Sequence, residues 1–113
     1  MPPARHATLY RLDRFIVPEA AKEEFLARMQ ASQRFLRALP GFVQDFALEQ
    51  NAGNGMRHYV TLAEWTDAAA VDVACAAIHD WYASRHLDPQ ELFARLGIQA
   101  NLGNYFPVKA SGC

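Results

Sequence analysis

Between Asp72 and His86 the chain sets several reactive side chains at helical spacing. Cys75 and His79 are four residues apart and Asp72 precedes Cys75 by three, so on a helix these side chains are neighbours. A thiol beside an imidazole is the arrangement of a nucleophile with its base. An imidazole edged by a carboxylate suits general-base work, because the ordinary histidine pKa lies near neutrality. Each feature has a plainer counterpart. A free cysteine in a helix commonly serves as a small buried side chain, and His79 is then a half-exposed polar neighbour. His79, as base or hydrogen-bond partner of a ligand, is the favoured catalytic candidate. Metal chemistry is not expected: His79 and His86 share an edge but lie two turns apart, about 10 Å by helical rise. Two helical ligands of one ion come at spacings of three or four.

The same helix carries a face for a sheet. At about 100° per residue, Val71, Ala74, Cys75, Ile78, Tyr82 and Arg85 fall together. Asp72, His79 and His86 run along one edge of that face, and Trp81 runs along the other. Tyr82 and Trp81, with Phe25, Phe35 and Met29 of an earlier helix opposite, can wall a flat polycyclic ligand or can be plain core. Trp65, at a strand end, is either a large core plug or a further wall of that pocket. Strand parity leaves Arg11, Arg14, Arg57, His58, Tyr59 and Tyr105 open between the two faces of a sheet.

From its start, the chain reads as a first strand over Thr8–Val17, with Tyr10, Leu12 and Ile16 on one side. Pro18 suits a first helical position, and Glu19, Glu23 and Glu24 place negative charge at the positive end of the helix dipole. Ala21, Phe25, Met29, Ser32, Leu36 and Leu39 then recur as an apolar stripe broken by one hydroxyl, which Pro40-Gly41 ends. Phe42–Gln50, with Phe42, Phe46 and Leu48 grouped on one side, and Met56–Trp65 alternate as strands around the loop Asn51-Ala52-Gly53-Asn54-Gly55. Thr66 or Asp67 caps a long helix to about Arg85. Asp88-Pro89 opens a short one, Gln90–Leu96, closed by Gly97 as a left-handed cap. Ile98–Val108 is the last strand, with a bend or bulge at Gly103, and Lys109–Cys113 is a loose tail.

One domain over residues 1–113, with its core at about 8–108, accounts for the whole pattern. Its fold class is α+β: a ferredoxin-like βαββαβ unit with a four-stranded antiparallel sheet and its helices on one face. Both sides of the third strand carry bulky apolar groups, so the open sheet face needs a cover, and a sheet-to-sheet homodimer supplies one. A chain of this length buries about 65% of its unfolded surface and folds without staples. Hydrophobic residues make up 51% of the chain and the net charge is −1, with no basic patch, which argues against nucleic-acid binding. No apolar run reaches the roughly 20 residues of a membrane span, and the opening Met-Pro-Pro-Ala-Arg-His lacks a signal-peptide core. Two cysteines, Cys75 and Cys113, form no disulfide framework, so a reducing cytoplasm is expected.

Several short pieces resemble the antibiotic biosynthesis monooxygenase domain, a family of dimeric α+β barrels. They are Asp13-Arg14-Phe15-x-Val17-Pro18 with Ala21–Leu26, Leu39-Pro40-Gly41-Phe42, and Val60–Thr66 ending in Glu64-Trp65-Thr66. The likeness spans about Thr8 to Tyr105. It implies a pocket between sheet and helices, and an oxygenase acting on a small aromatic, quinol or polyketide-like substrate with dioxygen and no cofactor. In such chemistry the ionised substrate itself supplies electrons to dioxygen, and the protein supplies a dry pocket, a base and oxyanion donors. The pocket residues expected here are Trp65, Tyr82, Trp81, Cys75, Phe25, Met29 and His86, with His79 as base. A haem-cleaving branch of the family uses a first-strand asparagine and a tryptophan followed ten residues later by histidine. This chain has no asparagine in Thr8–Val17 and has Glu91 ten residues after Trp81, which leaves His86 as a displaced iron ligand in a minor reading. A non-catalytic ligand-binding domain, or an oxygen-independent lyase or isomerase of the same topology, would use the same pocket.

Overall fold

The computed structural model describes residues 8–108; the expected tail Lys109–Cys113 lies outside them. The elements are β1 (Leu9–Pro18), a single 3-10 turn (Glu19–Ala21), α1 (Lys22–Arg37), β2 (Phe42–Asn51), β3 (Met56–Trp65), α2 (Ala68–Ser84), α3 (Pro89–Leu96) and β4 (Gln99–Tyr105). Local chemistry sets their ends. Asp67 accepts a hydrogen bond from the Ala70 N–H at 2.9 Å and so caps α2. Asp88 does the same for α3 through Gln90 and Glu91, and Gly97 closes that helix at φ 71°. Pro40 and Gly41 (φ 84°) turn the chain from α1 into β2.

The four strands form one antiparallel sheet in the order β2-β3-β1-β4. Leu9 lies opposite Trp65, Asp13 opposite Thr61 and Phe15 opposite Tyr59, which puts the odd-numbered residues of β1 and β3 on one face. Leu9, Phe15, Val17, Tyr59 and Trp65 are buried there, so this is the face under the helices. The other face carries Leu12, Ile16, Val60 and Leu62 together with Phe46 and Leu48, the last two being 51% and 61% exposed.

Several boundaries differ from the sequence expectation. Pro18 does not open the first helix but ends β1 opposite Met56, in extended backbone at ψ 144°. Helix α1 begins only at Lys22, after the 3-10 turn. The last strand stops at Tyr105 rather than Val108, and begins at Gln99. Tyr105 pairs with Tyr10, one residue from the start of β1, so its ladder partner runs out; Pro107 has no N–H to offer beyond it. At the other end the Ile98 N–H is already donated to the Phe93 carbonyl after α3. Pairing through Gly103 is continuous, and the bulge sits instead in β2 between Phe42 and Gln44. One extra residue there breaks the parity, so Phe42 shares the Trp65 face while Phe46 and Leu48 lie on the opposite one. The expected grouping of Phe42 with Phe46 and Leu48 is therefore wrong.

Candidate functional site

The core beneath the helices is in two parts. One cluster gathers Phe15, Val17, Ala21, Phe25, Tyr59 and Ile98, with Leu26, Met29, Phe93 and Leu96 packed on it. A second gathers Leu9, Trp65, Val71 and Ala74, with Leu36, Leu39 and Phe42 around it. Between them the helix-facing positions at mid-sheet are Arg11 and Asp13 of β1 and Thr61 of β3, with Ala63 of β3 at the margin of the second cluster. Polar and small residues there put no large apolar side chain in the middle of the layer. A cleft of about 910 Å³ results, with those residues on its floor. Arg28, Met29 and Ser32 of α1 and Cys75, Ile78, His79 and Tyr82 of α2 overhang it, and the start of α3 closes one side.

Asp13 is a largely buried acid on the floor of this cleft. Its side chain is 20% exposed, and Arg11 donates from Nε to its Oδ1 at 2.9 Å. Burial raises its pKa above the ordinary value; Arg11, by charge and hydrogen bond, and the Gly103 backbone amide oppose that shift without cancelling it. Burial also raises Tyr82, opposed by the Ser32 hydroxyl beside it and the Arg28 charge, and reinforced by the Asp13 charge. Asp13 and Tyr82 thus address the same space from floor and roof. Ser32 in turn donates to the Met29 carbonyl at 2.9 Å.

Of the site residues read from the sequence, Phe25, Met29, Trp65, Cys75, His79, Tyr82 and His86 all line the cleft. Cys75 does so while exposed, so it is not the small buried thiol that the plainer counterpart would make it. Trp81 does not line the cleft. Its ring stacks against Phe35 of α1 at 5.4 Å, and the Arg85 guanidinium lies over it at 4.3 Å. The aromatic wall is accordingly split, with Tyr82, Phe25 and Met29 inside and Trp81 and Phe35 at the helix–helix contact. Arg85 leaves the sheet-facing side for the same reason. His86 follows the end of α2 at φ 56°, a left-handed conformation uncommon outside glycine, and its N–H is donated to the Ala83 carbonyl. Among the described residues no group of three or more His, Cys, Asp or Glu converges as a metal site.

Sequence reasoning missed Asp13 as a site residue, although a signal existed. Asp13 shares its parity with Leu9, Phe15 and Val17, the apolar set of β1, so a charged residue interrupts a buried face. Arg57 and Tyr59, left open by parity, belong to another network at the far end of the sheet. Arg57 bonds Glu19 at 2.7 Å and Glu49 at 2.9 Å, and the Tyr59 hydroxyl donates to Glu49 at 2.9 Å. Burial, then the Glu49 hydrogen bond and charge, push the Tyr59 pKa up to about 12. His58 and Arg14 lie on the helix-free face, around a hollow of about 520 Å³.

No protein-family model and no curated protein matches this chain. Solved structures do. A dimeric ferredoxin-like protein from an uncultured marine organism aligns at a TM-score of 0.69 and 9% identity, over 90% of this chain and 96% of that one. SnoaB, a cofactor-independent oxygenase from Streptomyces nogalater, aligns at 0.58 and 22% identity, over 95% and 99%. The de novo designed protein Foldit4 aligns at 0.60 and 9% identity, over 89% and 99%. A designed chain matching as well as an oxygenase shows that the likeness speaks to architecture and not to activity. The chain has the ferredoxin-like α+β fold.

Proposed function

We propose that the cleft holds a flat phenol or quinol and that the chain oxygenates it without a cofactor, in the manner of the antibiotic biosynthesis monooxygenase domain. The observation that carries this reading is the divided core: a roomy, mostly apolar space with a few polar groups, Asp13, Arg28, Tyr82 and His79, turned toward its contents. An aromatic plane fits between Phe25, Met29, Ile78 and Trp65, and ionisation of its hydroxyl supplies the electrons that dioxygen accepts. His79, at the cleft edge, acts as base or hydrogen-bond partner for the ligand. The likeness to SnoaB supports the reading through the fold alone.

The chain works as a homodimer in this proposal, with the helix-free face of one sheet covered by a second copy. Phe46, Leu48, Val60 and Leu62 form too continuous an apolar surface to remain in water, and the marine ferredoxin-like protein is described as dimeric. The free thiol of Cys75 fits a reducing cytoplasm; among the described residues no helix is long and apolar enough to cross a membrane.

The test is oxygen uptake by chelator-treated protein supplied with 1,4-dihydroxynaphthalene. Uptake above autoxidation, reduced in His79→Ala, is the expected result. Uptake equal to autoxidation, with His79→Ala binding the quinol as wild type does, sinks the oxygenase reading. Binding without turnover in air leaves a ligand-binding domain in its place.

A further inference from the structure

We propose that Asp13 is the base of this cleft, accepting the proton of a ligand hydroxyl from below and leaving His79 as a hydrogen-bond partner at the edge. The inference rests on the cleft being a phenol site, and it concerns a residue that the motif resemblance does not single out as functional.

Position carries it. Asp13 stands at mid-sheet between the two hydrophobic clusters, where a ligand ring spanning the gap places its substituents. The other acids of the cleft are engaged or peripheral. Asp45 is held by both Nε and Nη2 of Arg37 at 2.9 to 3.1 Å, Asp88 caps α3, and Glu91 is exposed on that helix. Among the described residues Arg11 is the one side chain that hydrogen-bonds Asp13. An ionised carboxylate offers about four acceptor sites, so capacity remains for a ligand.

The surroundings suit the proton transfer. Thr61 on β3 lies opposite Asp13, the Asp13 charge is felt at Tyr82 of α2, and Arg28, Ser32 and His79 line the same cleft from the two helices. In the step, the ligand O–H bond breaks and its proton passes to the Asp13 carboxylate, which becomes the acid. The electron pair stays on the ligand oxygen as phenolate. Arg28 lines the same cleft and forms no ion pair among the described residues, so a cation is available for that phenolate. A carboxyl whose pKa burial has raised is also a stronger base than an exposed one, which favours the transfer.

Binding tests this without requiring turnover. The probes are 1-naphthol and 1-methoxynaphthalene, which differ at the hydroxyl proton. A hydrogen bond to a charged acceptor is worth about 1.5–3 kcal/mol, so wild type is expected to prefer 1-naphthol by about 10-fold or more. That preference should fall to about threefold or less in Asp13→Asn and Asp13→Ala and persist in His79→Ala. As a check independent of any variant's folding, the Asp13 side-chain carboxyl NMR signal of wild type should move with 1-naphthol and not with the methyl ether. If the preference survives Asp13→Asn, or the carboxyl signal ignores 1-naphthol, Asp13 is not the acceptor, while the phenol cleft stands. Should neither naphthalene bind, the cleft reading and the Asp13 assignment fall together.

Discussion

Phe42 meets Trp65 edge to face, with ring centroids 5.4 Å apart and planes at 84°. The β2 bulge makes the contact possible by turning Phe42 to the helix side, and it closes one end of the cleft with a wall only 3% exposed at Trp65. Such a pair contributes about 0.5–1.5 kcal/mol beyond its buried area. Trp65→Ala should therefore cost about 3–5 kcal/mol, as for other buried aromatic truncations, read from urea unfolding. A loss below about 1 kcal/mol would mean that the tryptophan is not part of the core.

Two glycines of similar φ should respond differently to alanine. A Cβ on Gly41 (φ 84°) would run into the Ala70 side chain and the Thr66 hydroxyl, whereas one on Gly53 (φ 86°) meets nothing within 4 Å. Gly53→Ala should cost about 1 kcal/mol from backbone strain alone. Gly41→Ala should cost clearly more, because the start of α2 must move. Equal losses in thermal melts would contradict the close approach.

His86 occupies the left-handed position after α2 that glycine ordinarily fills. His86→Gly is expected to stabilise the fold by about 1 kcal/mol. If the same variant weakens ligand binding, the strained histidine is retained for the cleft it lines.

Asp13 should make stability depend on pH in a definite direction. Its folded pKa is raised above the unfolded one, so in the window between them the folded state binds more protons. Stability then falls as pH rises through that window. Asp13→Asn should be more stable than wild type at pH 7 and lose the advantage below about pH 4, where both states of the aspartate are protonated. Unfolding midpoints at two pH values decide it; a wild type more stable than the variant at pH 7 would show the carboxylate to be favoured instead.

A charge on the helix-free sheet face separates dimer from fold. Val60→Arg should give a folded monomer in light scattering with the cleft intact. Wild type that is itself monomeric at micromolar concentration would refute the covered-face argument.

Element order, helix caps and the helix-bearing topology were legible in the residues because each rests on local chemistry. Pro40-Gly41, Asp67 and Asp88-Pro89 with Gly97 act on their own few neighbours, and strand alternation is a property of a short stretch. The candidate cleft was half legible: helical spacing brought Cys75, His79 and Tyr82 to one side, and the structure puts them around one space. Trp81 went the other way, to the α1–α2 contact with Phe35 and beneath Arg85 one turn on, because a helical projection does not say whether an edge residue turns to the sheet or to the neighbouring helix.

By itself, then, the sequence determined which elements occur and where most of them begin and end, whereas the ends of β1 and β4 followed from their pairing with neighbouring strands. Tertiary structure decided which of two alternating sets lies under the helices, since a strand presents both faces equally until something packs on one. It also decided that one extra residue at Val43 would reverse Phe42 alone. Asp13 shows the consequence most plainly. Its place in β1 is a matter of sequence, but its burial depends on the gap between two clusters that other strands and helices build.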